Sequence, residues 1–421
     1  MPEKNKSLLS KAYPCIIIFL CALFLSYKYI LQVFPSIMTT DLMRQFNISG
    51  VGLGNLAATF FYSYLVTQFF VGVLVDKYGC RVLASVAITI SAVGAYGFYL
   101  SDFLWEAEVS RSLMGVGAAF ATVVYMKIAA QWFSIRVFAL VAGLLLTAVM
   151  LGAIFGQAPL SLIVQHVGWR GGVLACAILG FLIAITFFVV VRDKNTYNTN
   201  ENIDVPAHTI KLKDIVAILS KPQNWLLALY SGLTFSPIAV FGGLWGNPFL
   251  NEEYSFSTTT SASYIAFAFV GLAFGGPILG MLSDKFNKRR LFMAIGAIFS
   301  LLSILPVIYM KLPLFALGTC LFTFGFFTGA FMLGFSVGKE INPAILTATV
   351  IALINTGDAV MGAVTEPLVG KILDLSWQHQ IVNGVHYFSI ANYHSALSLL
   401  PMYIFSSLVV LYFIKEKKQE I

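Results

Sequence analysis

The chain has 421 residues, of which 58% are apolar and 14% aromatic, while only 11% carry charge. Soluble domains carry about 25% charged residues, so this composition belongs in a lipid bilayer. The net charge of +7 is not gathered into a basic patch, which leaves a nucleic-acid partner without a surface to bind.

Apolar runs of about 20 residues can cross a bilayer. Twelve such runs can be placed, at 14–38, 51–75, 82–101, 104–128, 136–160, 171–191, 223–248, 258–282, 291–310, 313–336, 345–371 and 393–414. The basic residues test the count, because Lys and Arg favour the cytoplasmic side. With the N-terminus inside, twenty of the 26 fall in inner segments, four (Arg44, Arg170, Lys311 and Lys371) in outer ones, and Lys28 and Arg111 within spans. Both termini are therefore expected in the cytoplasm, and the positive charge is topology. Four of the five cysteines lie in apolar runs and Cys80 in an inner link, so they read as packing residues and not as disulfides.

The first span contains Lys28, Tyr29 and Gln32, with Lys28 and Gln32 one turn apart on the same face. A lysine near mid-bilayer costs a few kcal/mol, so it must face a partner or water. The second span carries Tyr64 and Gln68 at the same spacing. It ends in a short polar link, Gly72-Val-Leu-Val-Asp76-Lys77-Tyr78-Gly79-Cys80-Arg81, which recurs 208 residues on (280 − 72) as Gly280-Met-Leu-Ser-Asp284-Lys285-Phe286-Asn287-Lys288-Arg289. A glycine there admits a neighbouring helix. An aspartate one turn later can accept from orphan amides at a helix N-terminus or pair with a basic residue.

The fourth span opens with Arg111, whose fork can grip a carboxylate; a local ion pair with Glu106 or Glu108 is the alternative. Residues 192–222 form a polar linker ending in an amphipathic stretch suited to the inner membrane surface. It separates two halves, 1–191 and 223–421. The seventh span has Tyr230, Pro237 and the pair Gly242-Gly243, suited to a break in the helix. In the eleventh, Asn355, Asp358, Gly362 and Thr365 fall on one stripe, with Glu366 beside it. Two acids in one span are expensive: they must be neutral, or offset by a cation such as Lys28 or Arg111.

The paired links resemble the signature of the major facilitator superfamily, Gly-x-x-x-Asp-Arg/Lys-x-Gly-Arg/Lys-Arg/Lys, with Cys80 at one basic position and Asn287 where Gly79 stands in the first copy. Arg111 followed by Gly115 and Gly117 resembles the family's fourth-helix pattern. Gly143, Gly152 and Gly156 match its exporter motif on the fifth, except that Gln157 stands where that motif has proline, which argues against a drug exporter.

The resemblance implies an all-α membrane protein of twelve helices in two pseudo-symmetric six-helix bundles, working by alternating access around a central site. Gly72, Asp76, Lys77, Arg81, Gly280, Asp284, Lys285 and Arg289 are the expected gating residues. Lys28, Tyr29, Gln32, Tyr64, Arg111, Gln157, Tyr230, Asn355 and Asp358 are expected at the substrate, and Asp358 and Glu366 are the expected proton carriers. Two cations and two acids in the membrane suit a small charged or zwitterionic nutrient: an amino acid, short peptide, organic acid or carboxylate siderophore. Proton-coupled import is expected, by a monomer in a bacterial inner membrane; export of an amphipathic compound and facilitated uniport are the alternatives. Nothing in the chain suggests a cofactor, a metal site, an ATP-binding loop or a catalytic set. A transporter-fold receptor that moves no solute fits the same sequence.

Overall fold

The computed structural model describes residues 3–133, 135–193, 212–343, 346–382 and 384–416. Apart from one two-stranded hairpin, its regular structure is helical, as lipid demands of any chain that must satisfy its own backbone. The first half comprises α1 (Glu3–Val33), a 3-10 turn at Phe34–Ile37, α2 (Thr39–Phe46), α3 (Gly50–Tyr78), α4 (Cys80–Leu100), α5 (Leu104–Ala118), α6 (Phe120–Trp132), α7 (Ile135–Phe155) and α8 (Ala158–Val190). The second comprises α9 (Leu212–Leu219), α10 (Pro222–Val240), a π-helical segment at Phe241–Trp245, α11 (Gly246–Tyr254), α12 (Thr258–Phe286), α13 (Arg289–Tyr309), α14 (Leu314–Thr328), α15 (Leu333–Glu340), α16 (Thr347–Ser376), the strands β1 (Ile381–Val382) and β2 (Val385–His386), α17 (Ile390–Leu397) and α18 (Leu399–Phe413).

Among the described residues ten helical stretches are long and apolar enough to cross a membrane. One of them, Leu144–Val190, is 47 residues long and breaks at Gly168 (φ 75°, ψ 170°), a conformation open to glycine. Helix α16, of 30 residues, stands outside the ten and bears Asp358, Glu366, Lys371 and Asp374. Each of the twelve runs read from the sequence falls on helix. Of the expected linker 192–222, residues 194–211 lie outside the described residues, and its amphipathic end is α9.

The repeated links explain their own differences. Gly79 turns the chain from α3 into α4 at φ 81°, and Asn287 makes the matching turn between α12 and α13 at φ 51°. The two turns differ in ψ: Gly79, at 164°, occupies a region essentially reserved for glycine, whereas Asn287, at 42°, sits in the left-handed helical region that asparagine tolerates, so the second link has no need of a glycine. The orphan amides that follow are capped from the far end of each half. Asp193, just beyond α8, accepts from Cys80 N (2.8 Å) and Arg81 N (3.2 Å). Glu416, just beyond α18, accepts from Arg289 N at 2.6 Å. The sequence suggested Asp76 and Asp284 as candidates for this role, and the structure gives it to the other two acids.

Where the halves meet, glycines set the distance. A Cβ on Gly370 of α16 would stand 2.2 Å from the Gly50 carbonyl of α3, and one on Gly54 would stand 2.5 Å from Pro367 Cα. Asp374 adds a cap across the same seam, accepting from Gly50 N and Val51 N at 2.8 Å each. These contacts lie where α3 begins and α16 ends, the side expected to face outward. At the inner ends, a Cβ on Gly72 or Gly280 would meet nothing within 4 Å.

The cap at Asp193 gives a stability prediction. Removing an N-cap acceptor typically costs about 1 kcal/mol, so Asp193→Ala should lower the detergent-solubilised melting temperature by a few degrees. Asp193→Asn should lose less, because an amide oxygen still accepts.

Candidate functional site

Lys28 projects from α1 at the junction of the halves and is 6% exposed. Its ammonium donates to Tyr64 Oη at 3.4 Å and lies 4.4 Å from the centre of the Tyr64 ring and 5.1 Å from that of Tyr29. Aromatic faces attract a cation when carboxylates are out of reach. Among the described residues no acid stands within 4.0 Å of Lys28, so the expected alternative of a Lys28–Asp358 ion pair is not made in this state.

Asp358, also 6% exposed, projects from α16 beside Ser231 of α10. Tyr29 is near enough to feel the charges of both Lys28 and Asp358. Asn355 and Gln32 are half-buried on the same helices. Tyr29 and Gln32 line a narrow crevice between the halves, opposite Phe235 and Phe269. Lys28, Tyr29, Gln32, Tyr64 and Asp358 thus sit around the junction of the two halves.

Three other candidates are engaged elsewhere. Tyr230 is fully buried and donates to the Met293 carbonyl at 3.1 Å. Arg111, also fully buried, donates to the Leu31 carbonyl at 2.5 Å and the Ala57 carbonyl at 3.1 Å, with the rings of Phe34 and Phe60 about it. The Leu31 carbonyl is free because Pro35, four residues on, has no N–H to give it. Arg111 therefore clasps α5 to α1 and α3, and its attracting acid is Glu366, beyond 4.0 Å, and neither Glu106 nor Glu108. Glu366 itself is 3% exposed, although the neighbouring Pro367 lies at the outer seam. Its backbone carbonyl accepts from Trp245 Nε1 at 3.1 Å.

Gln157 ties the halves together. It is fully buried, and its amide donates to the Gly242 carbonyl of the π-helical segment at 2.7 Å and to Ser36 Oγ at 3.1 Å, while accepting from Asn247 Nδ2 at 2.8 Å. A second bond, Asn247 Nδ2 to Ser36 Oγ at 3.0 Å, closes the cluster. Pro367 frees a further carbonyl, that of Ala363, and Tyr62 from the other half approaches it at 3.5 Å.

The inner links hold charges within each half. Asp76 pairs with Lys127 at 2.8 Å. Arg289 pairs with Asp284, and with Glu340 at 2.9 Å. Lys77 covers the Tyr78 ring at 5.1 Å, Arg81 Nε donates to the Phe188 carbonyl at 2.9 Å, and Lys285 is exposed. Sequence reasoning missed Lys127, Ser36, Asn247 and Ser231, none of which carries a motif of its own.

The model of the Major Facilitator Superfamily matches residues 15–365, and the chain belongs to that superfamily. It is a transporter of a small molecule, embedded in a lipid bilayer as a multi-pass protein, and not an enzyme. Among its curated relatives, the membrane sensor protein UhpC of Salmonella typhimurium is 24% identical over 70% of this chain and 69% of its own. The hexuronate transporter of Bacillus subtilis is 22% identical over 80% and 76% respectively. The lysosomal dipeptide transporter MFSD1 of Danio rerio is 23% identical over 68% and 65%. In fold, the chain is similar to a bacterial homologue of the human lysosomal transporter Spinster, with a TM-score of 0.77 over 96% of both chains at 16% identity.

Two predictions test the closures. Gln157→Leu removes several buried hydrogen bonds, each worth about 1 kcal/mol. Labelling of Ile37→Cys by an impermeant maleimide added outside should rise about tenfold. Asp76→Asn should express normally and slow transport, measured as initial uptake rate; unchanged turnover would remove Asp76 from the gate.

Proposed function

We propose that this protein imports a small charged or zwitterionic nutrient, in the class of amino acids, short peptides, organic acids and carboxylate siderophores, together with protons. The observation that carries the reading is Lys28: a buried ammonium at the junction of the halves, held by tyrosines and left without a carboxylate. A substrate carboxylate completes its coordination. The acid Asp358 stands on the opposite half, so a solute between them touches both bundles, as alternating access requires. Arg111 and Glu366 form a second buried pair of opposite charge at the outer seam, and a proton exchanged on Glu366 or Asp358 couples uptake to the gradient. The rocking halves are 1–191 and 223–421, tethered through 192–222. The protein works as a monomer in a bacterial inner membrane with both termini in the cytoplasm.

The likeness to a membrane sensor protein favours one other reading, a transporter fold that binds solute and signals without moving it. Uptake of labelled amino acids, peptides and organic acids into sealed proteoliposomes separates the two.

Within the transport reading, Lys28→Ala removes a charge-assisted contact worth about 1.5–3 kcal/mol and should weaken apparent affinity roughly ten- to a hundredfold. Lys28→Arg should recover only part, because a planar fork does not replace a point charge. Wild-type affinity in the Lys28→Ala, Asp358→Ala double variant would instead assign Lys28 to neutralising Asp358. An inward proton gradient should raise accumulation; indifference to pH would favour facilitated uniport.

A further inference from the structure

Helices α10 and α16 come into backbone contact at the level of Asp358. A Cβ on Gly232 would stand 2.7 Å from the Gly357 carbonyl, and one on Gly357 would stand 2.5 Å from the Ala228 carbonyl. Glycines on both sides of the contact bring their chain neighbours Ser231 and Asp358 together. Ser231 is fully buried and Asp358 is 6% exposed; the Ser231 hydroxyl stands within reach of the Asp358 carboxylate, and nothing else meets Ser231 Oγ or Asp358 Oδ1. Among the described residues no Lys, Arg or His stands within 4.0 Å of Asp358. Buried polar atoms are paired in folded proteins because leaving them unpaired is costly, and the single hydrogen of Ser231 meets only one of the carboxylate's acceptor sites, so a buried carboxylate with no cation beside it forms a subsite that a ligand completes. A group that brings positive charge and more than one donor meets both the acceptor sites the carboxylate has left and the lone pairs of the hydroxyl.

From this geometry we propose that Ser231 and Asp358 form a subsite for a primary ammonium group, the cationic end of a zwitterionic substrate. The inference rests on the reading above, in which Lys28 takes the carboxylate, and it divides the two acids of α16 between two tasks. Asp358 holds the substrate ammonium, and Glu366, away at the outer seam, carries the proton. The substrate class narrows accordingly to free amino acids and short peptides with an unblocked amino terminus. A simple organic acid would fill the Lys28 side alone and leave the Asp358 carboxylate without a cation.

The test uses the full chain in proteoliposomes with matched probes: L-alanine against propionate, and L-alanyl-L-alanine against its N-acetyl derivative, extended across the common amino acids and their dipeptides. At least one zwitterion should be taken up, with its deaminated or acetylated partner at least tenfold weaker. Ser231→Ala should weaken the zwitterion about tenfold and leave the blocked partner unchanged, so that the preference between them collapses. Uptake confined to probes without an ammonium group would overturn the subsite while leaving the Lys28 reading intact. Equal loss for both partners in Ser231→Ala would reduce Ser231 to packing and overturn it as well. A sodium ion brings the same charge from another source; if replacing sodium by choline abolishes uptake of both partners, the subsite belongs to free sodium and the ammonium assignment fails. Because Ser231→Ala removes a single oxygen from a tight contact, it tests the proposal even where Asp358→Asn does not fold.

Discussion

A backbone carbonyl released from its helix inside a bilayer has no water to turn to, and leaving it bare costs several kcal/mol. That constraint organises much of this molecule. Pro35 releases the Leu31 carbonyl and Pro367 releases that of Ala363. The wider turn of the π-helical segment presents the carbonyl of Gly242 sideways, and such turns recur at functional positions in helices. Each is met by a side chain from a different helix: Arg111, Tyr62 and Gln157. Two of these three bonds run between the halves, so the breaks that let the helices bend also supply the points at which the outer side closes.

The two ends of the molecule carry different chemistry. Outside, the contacts are neutral amides, a hydroxyl and glycine backbones, nearly all shielded from solvent, with Asp374 capping α3 across the seam. Inside, the links carry charged pairs whose acids are largely exposed: the Asp76 side chain is 78% accessible and that of Asp284 65%. Exposed pairs are weak and screened by salt, whereas a buried amide cluster is indifferent to both salt and pH. The inner links are therefore the adjustable elements, and the outer cluster is set by packing and by the fit of Gln157.

The sequence made the fold legible because its strongest signals are local. Span length and the paired Gly-x-x-x-Asp-Lys links need no knowledge of neighbours, and the long helices obey them. The junction was partly legible for the same reason, since an ionisable residue inside a span announces itself, as Lys28 and Asp358 did. Misplaced residues were those whose role depends on what stands opposite. Tyr230 read as a site residue by type, but its hydroxyl is spent on a carbonyl 63 positions away. Gln157 was noticed for the proline it replaces, and only the approach of Gly242 and Asn247 shows what the amide holds. Ser231 gave no signal at all, because a serine in an apolar helix looks like filler until an acid is found beside it.

The caps at Asp193 and Glu416 carry a consequence for how the protein is put together. Each ties the end of its half's last long helix, α8 or α18, to the start of its third-helix counterpart, α4 or α13, so each bundle is fastened by its own chain. The contacts between bundles, in turn, are made by side chains and glycine faces and owe nothing to covalent continuity between them. Two separately translated polypeptides, divided between residues 193 and 212, therefore contain every contact described here, and the transporter has the build of a dimer whose subunits happen to share one chain.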